Sequence, residues 1–150
     1  MPRATDELLK DHRIIRKALE GFTLENPSFP HVLKTLHRLV VGHAWFEDTI
    51  FLPALATEPR LARLDREIGA EHKDLDQIAR LLRKTDLSNR KDLEIYPIQL
   101  RSILETHFRK EEDALFPLAE RILDSEGLNR LGEEMVRRRT EVRGPVGDLE

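Results

Sequence analysis

A chain of 150 residues suits one domain, and at that size roughly 70% of the surface exposed by the unfolded chain is buried on folding, enough for a core without cross-links. It contains no cysteine, which excludes a disulfide framework, a thiolate metal site and a thiol nucleophile, and agrees with a reducing cytosol. Charged residues make up 35% with a net charge of -3, unlike the basic surplus of nucleic-acid-binding proteins. No stretch approaches the ~20 apolar residues of a membrane span, and the opening MPRATDELLKDHR has no apolar secretory core; the expectation is a soluble cytoplasmic protein with neither a nucleic-acid nor a membrane partner.

The dominant period is helical. A first helix is predicted from about Thr5, as N-cap, to Leu19, with Asp6 and Glu7 in its first turn, where acids suit the helix dipole, and Gly21 as its stop. Leu8, His12, Ile15, Leu19 and Phe22 share one stripe. After a loop marked by Asn26 and Pro27, a second helix starts near Pro30 and carries Leu36, Leu39, Val40, His43, Glu47 and Ile50 inward until Pro53 breaks or kinks it. The third, from about Arg60 to Arg83, has the stripe Leu61, Leu64, Ile68, His72, Leu75, Ala79 and Leu82, widened by Ile78. Turn residues Asp86, Ser88 and Asn89 precede a fourth helix from about Asp92 to Leu123, with the stripe Leu100, Ile103, Leu104, His107, Glu111, Ala114 and Leu118 and a kink expected at Pro117. A tail helix is expected over about Leu128 to Arg139, after Gly127, with a frayed end. No segment alternates at period two, so the predicted fold is all-α: an up-down-up-down four-helix bundle with a short extra C-terminal helix, one domain over residues 1–150.

Each of the four helices places one histidine within an apolar stripe, and two add a glutamate four residues later, in HAWFE at 43–47 and HFRKE at 107–111. Residues four apart on a helix point the same way, one turn apart. Two carboxylates in a bundle core are costly unless paired, protonated or bound to metal, and metal best explains two of them at one level. Four imidazoles and two carboxylates suit iron and accept manganese or zinc. The chain also echoes itself: His43, Glu47, Asp48 and Pro53 recur as His107, Glu111, Glu112 and Pro117 at a shift of 64, and Asp11-His12 recurs as Glu71-His72 at a shift of 60. Two related half-sites imply two metals. With two histidines on each ion, both glutamates bridging and one solvent-derived oxo or hydroxo bridge, an octahedral pair of iron ions keeps an open position for a small molecule.

The order His, His-x-x-x-Glu, His, His-x-x-x-Glu over about residues 5–125 resembles the hemerythrin-like, or HHE cation-binding, domain family, as do the phrases EDTIFLPAL and EEDALFPLAER after each glutamate. The resemblance implies a hemerythrin-like bundle in which His12, His43, His72 and His107 are terminal ligands and Glu47 and Glu111 bridge. Oxygen-carrying members have a fifth histidine where this chain has Asp76, and a His-x-x-x-x-Asp ending where Glu111 follows His107 by four. The chain therefore looks closer to bacterial-type and iron-sensing domains, with Asp76 read as an extra ligand or an acceptor for an imidazole N–H. The implied function is a non-haem di-iron centre that binds or senses a small diatomic ligand, oxygen or nitric oxide. Redox turnover of peroxide, nitric oxide or ferrous iron, and iron storage or delivery, are the alternatives.

Other polar residues read as ordinary surface. His31 and His37 are expected at the surface or boundary, because His37 lies six residues from His43. Asp48 and Glu112 are expected to be solvated rather than to support a ligand, and Asp11 and Glu71 likewise. Tyr96, about 16 Å along the helix from His107, is too far to ligate with it. Trp45 and Phe46 read as packing or interface residues, and Arg137-Arg138-Arg139 as a solvated helix face.

Overall fold

The structure is a computed structural model and describes residues 2–85, 88 and 90–139. All regular structure among them is helical: α1 (Ala4–Glu20), α2 (Phe29–Phe46), α3 (Leu52–Ala54), α4 (Ala62–Lys84), α5 (Arg90–Lys110), α6 (Phe116–Ile122) and α7 (Ser125–Arg138). A π-helical turn at Glu47–Phe51 joins α2 to α3, a second at Glu111–Leu115 joins α5 to α6, and a 3-10 turn at Pro59–Leu61 leads into α4. The long helices form the four-helix bundle, α1 beside α2, α2 beside α4 and α4 beside α5, with α7 laid against α1 as the extra C-terminal helix. The ring closes between α1 and α5, where Arg101 donates to the carbonyls of Leu19 and Phe22 at the C-terminal end of α1. No helix among the described residues is long and apolar enough to cross a membrane.

The boundaries follow local chemistry, with four departures from the sequence reading. Helix α1 begins at Ala4, so Thr5 is not its cap; buried Thr5 instead donates its hydroxyl to Glu120 at 2.7 Å. Helix α5 starts at Arg90 and runs through Pro97 rather than from Asp92. Helix α7 begins three residues before Leu128, because the Asp124 carboxylate caps the N–H of Gly127 at 2.7 Å; Gly127 lies inside the first turn and not before it. The fourth departure concerns the prolines. Pro53 and Pro117, each six residues after a buried glutamate, lack the N–H that an α-helix needs and crowd the carbonyl four residues back. The π turns just ahead of them add one residue to the helical circuit and remove that conflict without ending the helix. The inserted residue also shifts the inward face: Leu115 and Ala119 are buried where regular α periodicity points to Ala114 and Leu118, of which Ala114 is exposed. Asp86 and Asn89, expected at the turn before α5, and the expected frayed end lie outside the described residues.

The core has two apolar parts. One, at the end closed by α7, includes Leu8, Phe51, Ile68, Leu115, Phe116 and Met135. The other includes Ile15, Leu36, Leu75, Leu104 and Phe108. Burying each such side chain contributes about 1.5–3 kcal/mol. Along α1, α2 and α4 the residues of one part give way to those of the other at a histidine, His12 lying between Leu8 and Ile15 and His72 between Ile68 and Leu75; in α5 the change falls just after His107, between Phe108 and Leu115. The polar layer is thus sealed above and below.

Two glycines test this packing in opposite directions. A Cβ on Gly132 in α7 would collide with the backbone carbonyl of Pro2, whereas one on Gly69 in α4 meets nothing within 4 Å. Gly132→Ala should therefore cost ~1–3 kcal/mol in urea denaturation, because backbone cannot yield as a side chain does. Gly69→Ala should gain roughly 0.5–1 kcal/mol from helix propensity alone. Equal effects at the two positions would show that α7 is not seated against the N-terminus as described.

Candidate metal centre

Because the histidines occupy the inward stripes, their side chains meet at one level of the bundle. His12, His43, His72 and His107 are buried, and Glu47 and Glu111 are fully so, at 0% exposure. All six predicted residues are brought together. One ligand atom each from His43, Glu47, His107 and Glu111 lies within 4.8 Å of the others. Glu47 Oε1 is 3.0 Å from His43 Nε2, 3.1 Å from His72 Nε2 and 3.7 Å from His107 Nε2. Glu111 Oε1 is 2.9 Å from His12 Nε2, 3.3 Å from His107 Nε2 and 3.5 Å from His43 Nε2. The imidazoles pair edge to face, His12 with His43 and His72 with His107, each at 4.8 Å between ring centroids. Both carboxylates reach both pairs.

The outward nitrogen of every ring meets an acid. His12 Nδ1 donates to Glu112 at 2.6 Å, His43 Nδ1 to Asp11 at 3.2 Å, His72 Nδ1 to Asp48 at 2.9 Å and His107 Nδ1 to Glu71 at 3.0 Å. An N–H fixed on Nδ1 leaves Nε2 turned to the centre and raises its basicity. The four acids follow the internal echo. The residue before the first histidine of each half, Asp11 or Glu71, holds the second histidine of the same half. The residue after each glutamate, Asp48 or Glu112, holds the first histidine of the other half. Asp48, Glu112, Asp11 and Glu71 were expected to be solvated; they are instead the orienting groups. A residue next to an inward one points about 100° away, and in a bundle that direction leads into a seam between helices as readily as to water.

Two further expectations change. His37 is buried and not at the surface: its Nε2 donates to Asp76 across the α2–α4 seam at 2.9 Å. Asp76 therefore accepts an imidazole N–H, but from His37 rather than from one of the central histidines, and Arg80 holds its other oxygen at 2.8 Å. His31 is exposed, as expected. Arg139, expected on a solvated face, bonds to Asp11 at 3.0 Å. Phe108, which the sequence reading passed over, stacks on the His12 ring at 4.0 Å between centroids.

Three buried atoms in this layer have no hydrogen-bond partner: Glu47 Oε2, Glu111 Oε2 and His107 Nε2. Orphaned acceptors of this kind are costly in a dry core. They are the atoms a cation would engage, and a set of imidazole nitrogens and carboxylate oxygens suits a divalent first-row metal. The model of the hemerythrin HHE cation-binding domain matches residues 3–119. The chain belongs to this family. Among curated proteins and solved structures, no match to it is found. The hemerythrin match ends within α6, so α7 lies outside it.

Without a cation, protons offset the buried acids. Burial disfavours charge on His43, but Glu47 and Asp11 outweigh it and raise its pKa to about 10. Burial likewise opposes charge on His72, and its bonds to Asp48 and Glu47 raise it to about 9. For His12, burial and the neighbouring His43 charge prevail and lower the pKa to about 4. His43 and His72 hold protons in the folded chain at pH values where the unfolded chain has lost them. Their stabilising contribution is complete below roughly pH 6.5 and is lost as pH rises through about 9 to 10. Urea denaturation of the metal-free chain should show stability falling between pH 7 and 10. A flat profile over that range would mean that both rings are neutral when folded.

Proposed function

We propose that this hemerythrin-family chain binds a non-haem di-iron centre and uses it to bind or sense a small diatomic ligand, oxygen or nitric oxide. His12 and His43 would hold one ion, His72 and His107 the other, with Glu47 and Glu111 spanning the two. The observation that carries the reading is that each glutamate carboxylate lies against both histidine pairs while its second oxygen is buried without a partner. A pair of ferrous ions held there would supply the electrons with which such a ligand is bound.

The chain's own residues do the rest. The four Nδ1 acids hold the Nε2 atoms inward, so receiving a cation takes the loss of the His43 and His72 protons and no turning of the rings. Leu8, Phe116, Phe108 and Leu104 bound the layer with apolar surface, which excludes bulk water and favours a small uncharged ligand. Two carboxylates would leave a ferrous pair with a residual positive charge, which the outer acids would offset in part. We read the chain as a single cytoplasmic domain.

Anaerobic ferrous titration followed optically tests the proposal. It should reach two ions per chain, and near-ultraviolet bands should appear on admitting air and reverse under argon. Oxidation that does not reverse would replace ligand binding with redox turnover or iron storage. Glu47→Ala with Glu111→Ala should abolish paired uptake, and two ions retained in that variant would overturn the site. Uptake at pH 7 should expel about two protons, those of His43 and His72, so apparent affinity should rise with pH in a pH-stat measurement.

A further inference from the structure

The two halves of the centre are related by the internal echo, but their outer supports are not. In the second half, Lys110 lies beside Glu71, the acid that holds His107, with Nζ at 2.7 Å from its carboxylate. The position matching Lys110 in the first half, at the shift of 64, is Phe46. Phe46 is apolar and buried, so α2 offers no cation at that place to Asp11, the acid that holds His43. Asp11 is itself buried, with its side chain only 10% exposed, and a carboxylate so placed needs a charged or multiply bonded partner.

That partner comes from the far end of the chain. The Arg139 guanidinium lies over the Phe46 ring, 5.0 Å from its centroid. From there it donates to Asp11 Oδ1 at 3.0 Å and lies 3.3 Å from Glu7 Oε1. The other oxygen of Asp11 accepts from His43 Nδ1. A continuous chain therefore runs from Arg139 through Asp11 to the His43 ring, the counterpart of Lys110, Glu71 and His107. The residue stands at the C-cap of α7, whose fit against α1 is fixed by Gly132 meeting the backbone of Pro2.

We infer that Arg139 is a positioning residue for His43: α7, outside the segment shared with the family, supplies in trans of the repeat the cation that the first half lacks. The inference rests on the proposed metal reading for its consequence, though not for its geometry. With Arg139 in place, Asp11 is neutralised and aimed at His43, and Nε2 faces the centre. With Arg139 removed, Asp11 loses the cation that fixes its Oδ1; its carboxylate is free to turn toward solvent, and His43 loses the acceptor that fixes its ring.

The full-length chain titrated with Co(II), with the visible ligand-field bands as readout, tests this. Arg139→Ala should weaken one of the two cobalt ions about tenfold, the lower edge of the effect of removing groups that orient metal ligands, and leave the other within about twofold. Arg139→Lys should restore most of the loss, and Arg138→Ala, which removes the neighbouring cation over Trp45, should leave both ions unchanged. A loss shared equally by both ions, no loss at all, or no rescue by lysine would overturn the inference and leave α7 as packing alone. Long-range proton–nitrogen NMR of the metal-free chain gives a second readout. Arg139→Ala should move the ring nitrogens of His43 and not those of His107. If the wild-type chain took up no cobalt, the metal reading would fall. The NMR comparison would still decide the hold of Arg139 on His43, because unmoved His43 nitrogens would refute it.

Discussion

Two glutamates with no solvent exposure sit at the middle of a bundle this small, and everything around them compensates for that placement. A buried carboxylate is tolerated only against positive charge or dense hydrogen bonding. Here four imidazoles surround the pair, and each imidazole is backed by a further acid. Three of those acids are backed in turn by a base: Arg16 on Glu112, Lys110 on Glu71 and Arg139 on Asp11. Charge alternates outward in shells around three of the four imidazoles, and the unpartnered oxygens lie at the very centre.

The fourth acid differs. Asp48, half-exposed, holds His72 with no base beside it among the described residues. The echo explains why: Arg16 stands four residues after His12, and the matching place after His72 is Asp76, which is engaged with His37 and Arg80. The two half-sites share their inner geometry and differ in their outer field. The His72 side is also the more open to solvent, since the Asp48 side chain is 48% exposed and that of Glu112 25%.

Much of this was legible in the sequence because a polar residue in an apolar stripe is an anomaly that needs a cause. His12, His43, Glu47, His72, His107 and Glu111 all stood out in that way, and the structure gathers all six. Residues one step off a stripe gave no such signal. Asp11, Asp48, Glu71 and Glu112 look solvated on a lone helix, and only the neighbouring helix decides that their direction is a seam. His37 escaped for the same reason, since Asp76 lies on another element. Arg139 depends on a contact across almost the whole chain length, which no local pattern encodes. The π turns left one trace, a proline six residues after each glutamate, and that trace also fits an ordinary kink. The buried faces of Leu115 and Ala119 separate the two, and they are visible only once the helix is built.

A π turn is a step in phase. Before Glu47 and Glu111 the helices α2 and α5 keep one phase and fix the directions of His43 and His107; after them the chain runs about 100° later. The step falls at the boundary between the layer of His and Glu side chains and the apolar end sealed by α7. The two ends of the molecule are therefore tuned separately, like two dials on one shaft joined by a fixed offset. Side chains in the lower core can be exchanged without turning a histidine away from the centre, provided that the one-residue offset survives. The sequence thus keeps a demanding geometry and a permissive core on the same two helical runs, α2 to α3 and α5 to α6.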